Sequence, residues 1–135
     1  GAILMKERIK ERLDFVMNIF PELASRAGQR AGSMSGGEQK MLAVGRAMVT
    51  EPSLLMLDEP SAALSPKVMS QLFAEIRAIN ERGVTILMVE QNARQALAIS
   101  HRGYILEMGR NRLQGAASSL LGSPEVGRLY LGRKA

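Results

Sequence analysis

The chain has 135 residues, 46% of them hydrophobic, a formal charge of +5 and no cysteine. That length supports one domain with a real core, and without thiols and with His101 as the single histidine, disulfides are excluded and a zinc site is disfavoured. No apolar run approaches the roughly 20 residues a bilayer crossing needs and no basic-then-apolar signal opens the chain, which fits a cytoplasmic protein.

Along Lys6–Arg12 charges of both signs are interspersed, with the opposite pairs Glu7–Lys10 and Arg8–Glu11 at i,i+3 spacing, the pattern of a solvated helix. Ile9, Leu13, Val16 and Phe20, with Ile19 beside them, predict an amphipathic helix that stops before Pro21. Residues 22–34 are small and polar, with Gly28 and Gly32, and read as a short helix followed by a loop. Ser35 is an N-cap for a helix to about Val49, with Met41, Leu42, Val44 and Met48 on its apolar side, and Pro52 breaks it. No strand interrupts these first helices, so they are expected to form a separate helical lobe.

Leu54–Leu57 is continuously apolar, as expected of a strand covered on both faces. Ser65-Pro66 supplies an N-cap and a first-turn proline for a helix over 66–81 that ends at Gly83. Val84–Val89 reads as a second buried strand, and Asn92 begins a helix to about Ser100. Tyr104–Glu107 and Arg112–Gln114 flank a turn at Met108-Gly109-Arg110-Asn111, a hairpin signal. Two small helices come next, around Ser118–Leu121 and Glu125–Leu131. Alternating strands and helices after residue 50 predict a mostly parallel α/β sheet with right-handed crossovers.

Two segments carry chemistry. Asp58 and Glu59 follow an apolar strand at its C-terminal edge, where parallel sheets bind ligands. Paired acids there are costly without a metal or donor, and can hold Mg²⁺ and an attacking water; a plain surface turn, Asp-Glu-Pro, is the alternative. Ser35-Gly36-Gly37 opens a helix, whose first amides can hold a phosphate. An ordinary serine-capped helix explains Ser35 but not two glycines, which allow close approach of backbone to ligand. No Gly-x-x-x-x-Gly-Lys-[Ser/Thr] phosphate loop occurs in the 135 residues.

In this order and spacing, Met34–Gln39 resembles the ABC signature sequence, Leu54–Glu59 the Walker B strand with its catalytic glutamate, and Ser61–Ser65 the D-loop. Gln39–Ala47, Val89–Ala93 and Tyr104–Arg110 are similar to the ATP-binding subunits of branched-chain amino acid importers. The likeness covers nearly the whole chain. It implies the C-terminal portion of an ABC-type P-loop NTPase fold, α/β, with 1–49 belonging to the helical subdomain and 50–135 to the ATPase core.

The resemblance assigns Mg²⁺ to Asp58 and the attacking water to Glu59. It sets Ser35, Gly36, Gly37 and Glu38 against the γ-phosphate of ATP held by the opposite subunit. Glu38 stands where glutamine is more usual, so its charge is expected to point away or to pair with a cation. Ala63 and Ser65 depart from the commonest D-loop. Gln91 takes the place of the switch histidine; it can donate a hydrogen bond but cannot titrate. His101 is no substitute by position and reads as a helix-end or surface residue.

Further implications concern partners and completeness. A second ATPase subunit and membrane permease subunits are expected, on the cytoplasmic face of the inner membrane, with no nucleic acid. The phosphate-loop strand of the family lies between the Val84–Val89 and Tyr104 strands. Without it, strand edges are left open, so these residues alone are expected to oligomerise or to be part of a longer polypeptide, and to be nearly inert toward ATP. An ABC ATPase acting on nucleic acid, and a non-enzymatic oligomerising remnant, are the competing readings.

Overall fold

Chain direction is set by local chemistry at each helix end. The computed structural model describes residues 2–130, with side chains from 7 to 127. Helix α1 (Ala2–Ile19) stops where Pro21 opens the short α2 (Pro21–Ala24), since a proline cannot donate to the preceding turn. A 3₁₀ turn (Ala31–Ser33) leads to α3 (Gly36–Met48), then β1 (Leu54–Asp58), α4 (Pro66–Glu81) and β2 (Thr85–Val89). Helix α5 (Ala93–Ile99), strands β3 (Arg102–Glu107) and β4 (Arg110–Ala116), and helices α6 (Ala117–Gly122) and α7 (Pro124–Tyr130) complete the order. The expected end of the last helix at Leu131 lies outside the described residues. Among the described residues no helix is long and apolar enough to cross a membrane.

Packing divides the chain into two units, Gly1–Leu87 and Met88–Ala135, with the division falling inside β2. In the first, Val16, Ile19 and Phe20 at the end of α1 and Met41, Val44 and Met48 of α3 are buried. Gly45 permits this close crossing: a Cβ there would lie 3.0 Å from Val16 Cγ1. The N-terminal part of the predicted α1 stripe is left bare, with Ile9 46% and Leu13 43% exposed. An apolar groove of about 140 Å³ between α1, α2 and α3 is lined by Leu13, Val16, Met17, Leu23, Leu42 and Val49. Side chains join the first helices to the rest of their unit: Arg82 sits 5.2 Å from the centroid of the Phe15 ring. Arg12 also grips Glu51 through two hydrogen bonds, of 3.1 and 2.8 Å.

The β1–α4–β2 stretch is a crossover. Thr85 N–H donates to the Ser53 carbonyl at 2.9 Å, so both strands start at the same end and run in the same direction. Helix α4 begins on the Ser65 hydroxyl and Pro66, buries Leu72, Phe73, Ile76 and Ile79, and ends before Gly83, whose φ is +94°. Gly83 is needed there because left-handed backbone is cheap only for glycine.

The expected covering of both strand faces is not found. Leu55 is buried, but Leu54 (48%), Met56 (69%), Leu87 (55%) and Val89 (58%) are exposed. These residues share the alternate, outward positions of β1 and β2. A continuous apolar run shows that a strand can be covered twice; here the described residues supply a second layer on one face.

The second unit has its own core of Leu97, Ile105, Ala117, Leu120 and Val126. Gly103 makes room for it, since a Cβ would meet Leu97 Cδ2 at 2.6 Å and Leu120 Cδ1 at 2.8 Å. Strands β3 and β4 pair antiparallel, with a register shift between Ile105 and Leu106. The turn is tighter than the expected four residues. Met108 and Gly109, at φ +47° and +72°, form a two-residue connection whose twist suits a hairpin. The strands fall into two two-stranded sheets, β1–β2 and β3–β4.

Candidate functional site

Ser35 has extended backbone and caps α3 in a reciprocal box. Its Oγ accepts from the Glu38 amide at 3.4 Å, and its own amide donates to Glu38 Oε2 at 2.7 Å. Two of the helix's otherwise orphan donors are satisfied this way. The hydroxyl proton of Ser35, exposed at the surface, stays available to an acceptor from outside.

The charge of Glu38 is answered internally. Oε1 pairs with Arg26 at 3.0 Å. The Ser35 backbone amide, then its hydroxyl, hold the Glu38 carboxyl below the usual carboxylate range, and Arg26 adds to the effect. The expectation that this anion must point away or meet a cation is answered by Arg26, which lies on the loop before the turn and has no periodic signature. As a ligand contact Glu38 has little to offer, since its amide is given to the Ser35 hydroxyl and its carboxylate to the Ser35 amide and Arg26.

Gly36 and Gly37 differ. A Cβ at Gly37 would lie 2.8 Å from Val68 Cγ1 and 3.6 Å from Leu64 Cδ2, so this glycine is required by packing against the start of α4. At Gly36 a Cβ would meet nothing within 4 Å. The chain's own packing thus explains one glycine of the pair, and close approach of a ligand remains a reason for glycine at Gly36 alone.

Asp58 and Glu59 stand where the sequence puts them, at the C-terminal end of β1. Both are exposed, so their pairing carries less desolvation cost than a buried site would impose. Among the described residues, neither carboxylate has a hydrogen bond or ion pair. No cluster of three or more His, Cys, Asp or Glu among them could hold a metal ion. That supply suits Mg²⁺, which is bound through one or two carboxylates with waters and phosphate oxygens completing its shell. Glu59 adopts φ +42° and Ala63 φ +61°, left-handed conformations that non-glycine residues hold at a cost. Pro60 and Ser61 are buried beneath the loop.

Lys40, not singled out by sequence reasoning, enters this loop. Its Nζ donates to the Ala62 carbonyl at 2.5 Å and to the Glu59 carbonyl at 3.5 Å. The Ser35 turn and the acid loop are thereby neighbours within one unit.

Gln91 belongs to the second unit. It is exposed just before α5, and its carbonyl accepts from the Ala93 amide at 2.9 Å. Asn92 caps α5 by accepting from the Gln95 amide at 3.3 Å. His101 is exposed between α5 and β3.

Residues 5–62 match the family model described as ABC transporter. The chain is 47% identical over 132 residues to the high-affinity branched-chain amino acid transport ATP-binding protein BraG of Pseudomonas aeruginosa, covering 98% of this chain and 57% of that protein. It is 42% identical over 128 residues to the probable branched-chain amino acid transport ATP-binding protein LivF of Archaeoglobus fulgidus, covering 94% and 54% respectively. Among solved structures, the ADP conformation of MJ1267, an ATP-binding cassette of an ABC transporter, superposes with a TM-score of 0.76. The match is 25% identical and covers 93% of this chain and 50% of the other. The chain spans about half the length of the curated relatives it matches.

Proposed function

The chain belongs to the ABC transporter ATP-binding family, and on that premise we propose that it forms the C-terminal part of the energy-coupling ATPase subunit of an importer for branched-chain amino acids. In this reading residues 1–49 are the end of the helical subdomain and 50–135 the end of the ATPase core. The observation that carries it is the contrast between a helix start already assembled, with an open surface at Gly36, and an adjoining acid pair that none of the described residues engages.

Asp58 is the Mg²⁺ ligand, and the bound ion supplies charge neutralisation to the phosphates. Glu59 orients the attacking water and accepts its proton, a contribution of about 10²–10⁴ in rate. Ser35 donates its hydroxyl, and Gly36 and Gly37 their amides, toward the γ-phosphate of a nucleotide bound to a second ATPase subunit, while Glu38 lines that site by shaping the turn. Gln91, in the place of the switch histidine, donates its side-chain amide to a γ-phosphate without any change of charge. Permease subunits in the membrane are the other partners, and the working place is the cytoplasmic membrane face. Phosphate-loop amides and their lysine supply much of the affinity for ATP in such enzymes, so the 135 residues alone are nearly inert.

The test is a cassette completed with the N-terminal portion of a relative such as BraG. ATP hydrolysis is expected in the completed protein, with Glu59→Gln slower by about 10²-fold or more. Undiminished turnover in Glu59→Gln would overturn the assignment of the water to this residue.

A further inference from the structure

The loop that carries Glu59 is not held by its own preferences. Glu59 and Ala63 both have left-handed backbone, which costs an L-residue roughly 1–2 kcal/mol each. Such conformations persist only where surrounding structure over-determines them. Within the loop, Ala62 N–H donates to Glu59 O at 3.1 Å and Leu64 N–H to Ser61 O at 3.2 Å. Those bonds tie the loop to itself. One side chain ties it to α3. Lys40, half-buried one turn into that helix, reaches the Ala62 and Glu59 carbonyls. Gly37, at the helix start, packs against Val68 of α4, where a Cβ would lie 2.8 Å from Val68 Cγ1, and so seats α3 beside the end of the loop.

We infer that Lys40 is a positioning residue for Glu59: its ammonium holds the carbonyls of the acid loop against the helix opened by Ser35 and so keeps Glu59 in the left-handed backbone that directs its carboxylate. The inference rests on the reading that Glu59 acts on water. Lys40 acts through the Glu59 backbone and not on the reacting atoms.

Two measurements test this. In the 135-residue chain, Lys40→Met, which keeps the aliphatic stem, is expected to speed amide exchange at Ala62 and Leu64, and Lys40→Arg to restore much of the protection. In a completed cassette, Lys40→Met is expected to lower kcat by roughly 10–100-fold while KM for Mg-ATP changes little, since misplacement of a catalytic group by about 1 Å costs rate on that scale. Lys40→Arg should recover most of kcat, and it keeps the test available should Lys40→Met fold poorly. Unchanged kcat in Lys40→Met, or equal loss in both variants, would overturn the inference. Glu59→Gln in the same cassette separates the two failures. If it keeps full turnover, the reading of Glu59 fails; if it abolishes turnover while Lys40→Met does not slow it, the positioning role alone fails.

Discussion

Glu38 and Glu59 are acids in adjoining segments, and they are treated in opposite ways. Glu38 is bonded to the Ser35 amide and paired with Arg26, so its charge goes into shaping the turn. Glu59, with Asp58 beside it, has an exposed carboxylate with no partner among the described residues. The first segment is a finished piece of architecture. The second is strained in its backbone and uncommitted in its side chains, the condition of groups free to take a ligand from outside.

A third carboxylate sharpens that contrast most. Glu75 on α4 is buried, 6% exposed; one oxygen has no hydrogen-bond partner and the other accepts from Gln71 at 3.2 Å. Desolvation pushes its pKa up to about 7, the Gln71 hydrogen bond opposes the rise, and Glu22 adds to it. The folded chain therefore binds this proton more tightly than the unfolded one. Stability falls as pH rises from about 4.5 toward 7, and the full cost is present above that. At about 1.4 kcal/mol per pKa unit the cost is roughly 3 kcal/mol. Glu75→Gln is expected to stabilise the chain at pH 8 by that order, read from the denaturation midpoint, and to flatten the pH profile. A profile unchanged from the parent would show that the carboxylate finds a partner in solution.

Next in size is the pair of glycines. Gly37→Ala drives a Cβ to within 2.8 Å of Val68 and should destabilise by about 1–3 kcal/mol. Gly36→Ala meets open space and should stabilise by up to about 1 kcal/mol through its better helix propensity. Equal effects on urea midpoints would break the distinction drawn between them. The smallest effect is expected at the acid pair itself. Asp58→Asn and Glu59→Gln should each move chain stability by less than about 0.5 kcal/mol, as exposed, unbonded side chains do. A large shift in either would mean that these groups are structural after all.

Much of this framework is legible along the chain. Ser35, Ser65-Pro66, Gly83 and Asn92 mark helix ends because each satisfies or terminates the helix with its own side chain or backbone, within a few residues. The acid pair is legible for the same reason, since a strand's end is a local event. What escapes is whatever depends on distant neighbours. Arg26 beside Glu38, Lys40 beside Glu59 and the burial of Glu75 leave no periodic trace. Nor does an apolar strand say whether its second cover comes from the same stretch of chain, which is why Leu54 and Met56 are bare. The hairpin turn is readable as a turn but not as Met108-Gly109, because a non-glycine residue at φ +47° is not announced by composition.

The two sheets also differ in how they must be reached in time. Strands β3 and β4 are joined by two residues, so their registry can be found within microseconds, the pace of an isolated hairpin. Strand β2 meets β1 only after the chain has wound α4 between them, a long closure whose entropy is lost before any pairing rewards it. On refolding of the whole chain from denaturant the hairpin is therefore expected to pair before β2 docks on β1, and because Leu54, Met56 and Leu87 stay outward after that docking, a holding chaperone keeps something to grip even once folding is done.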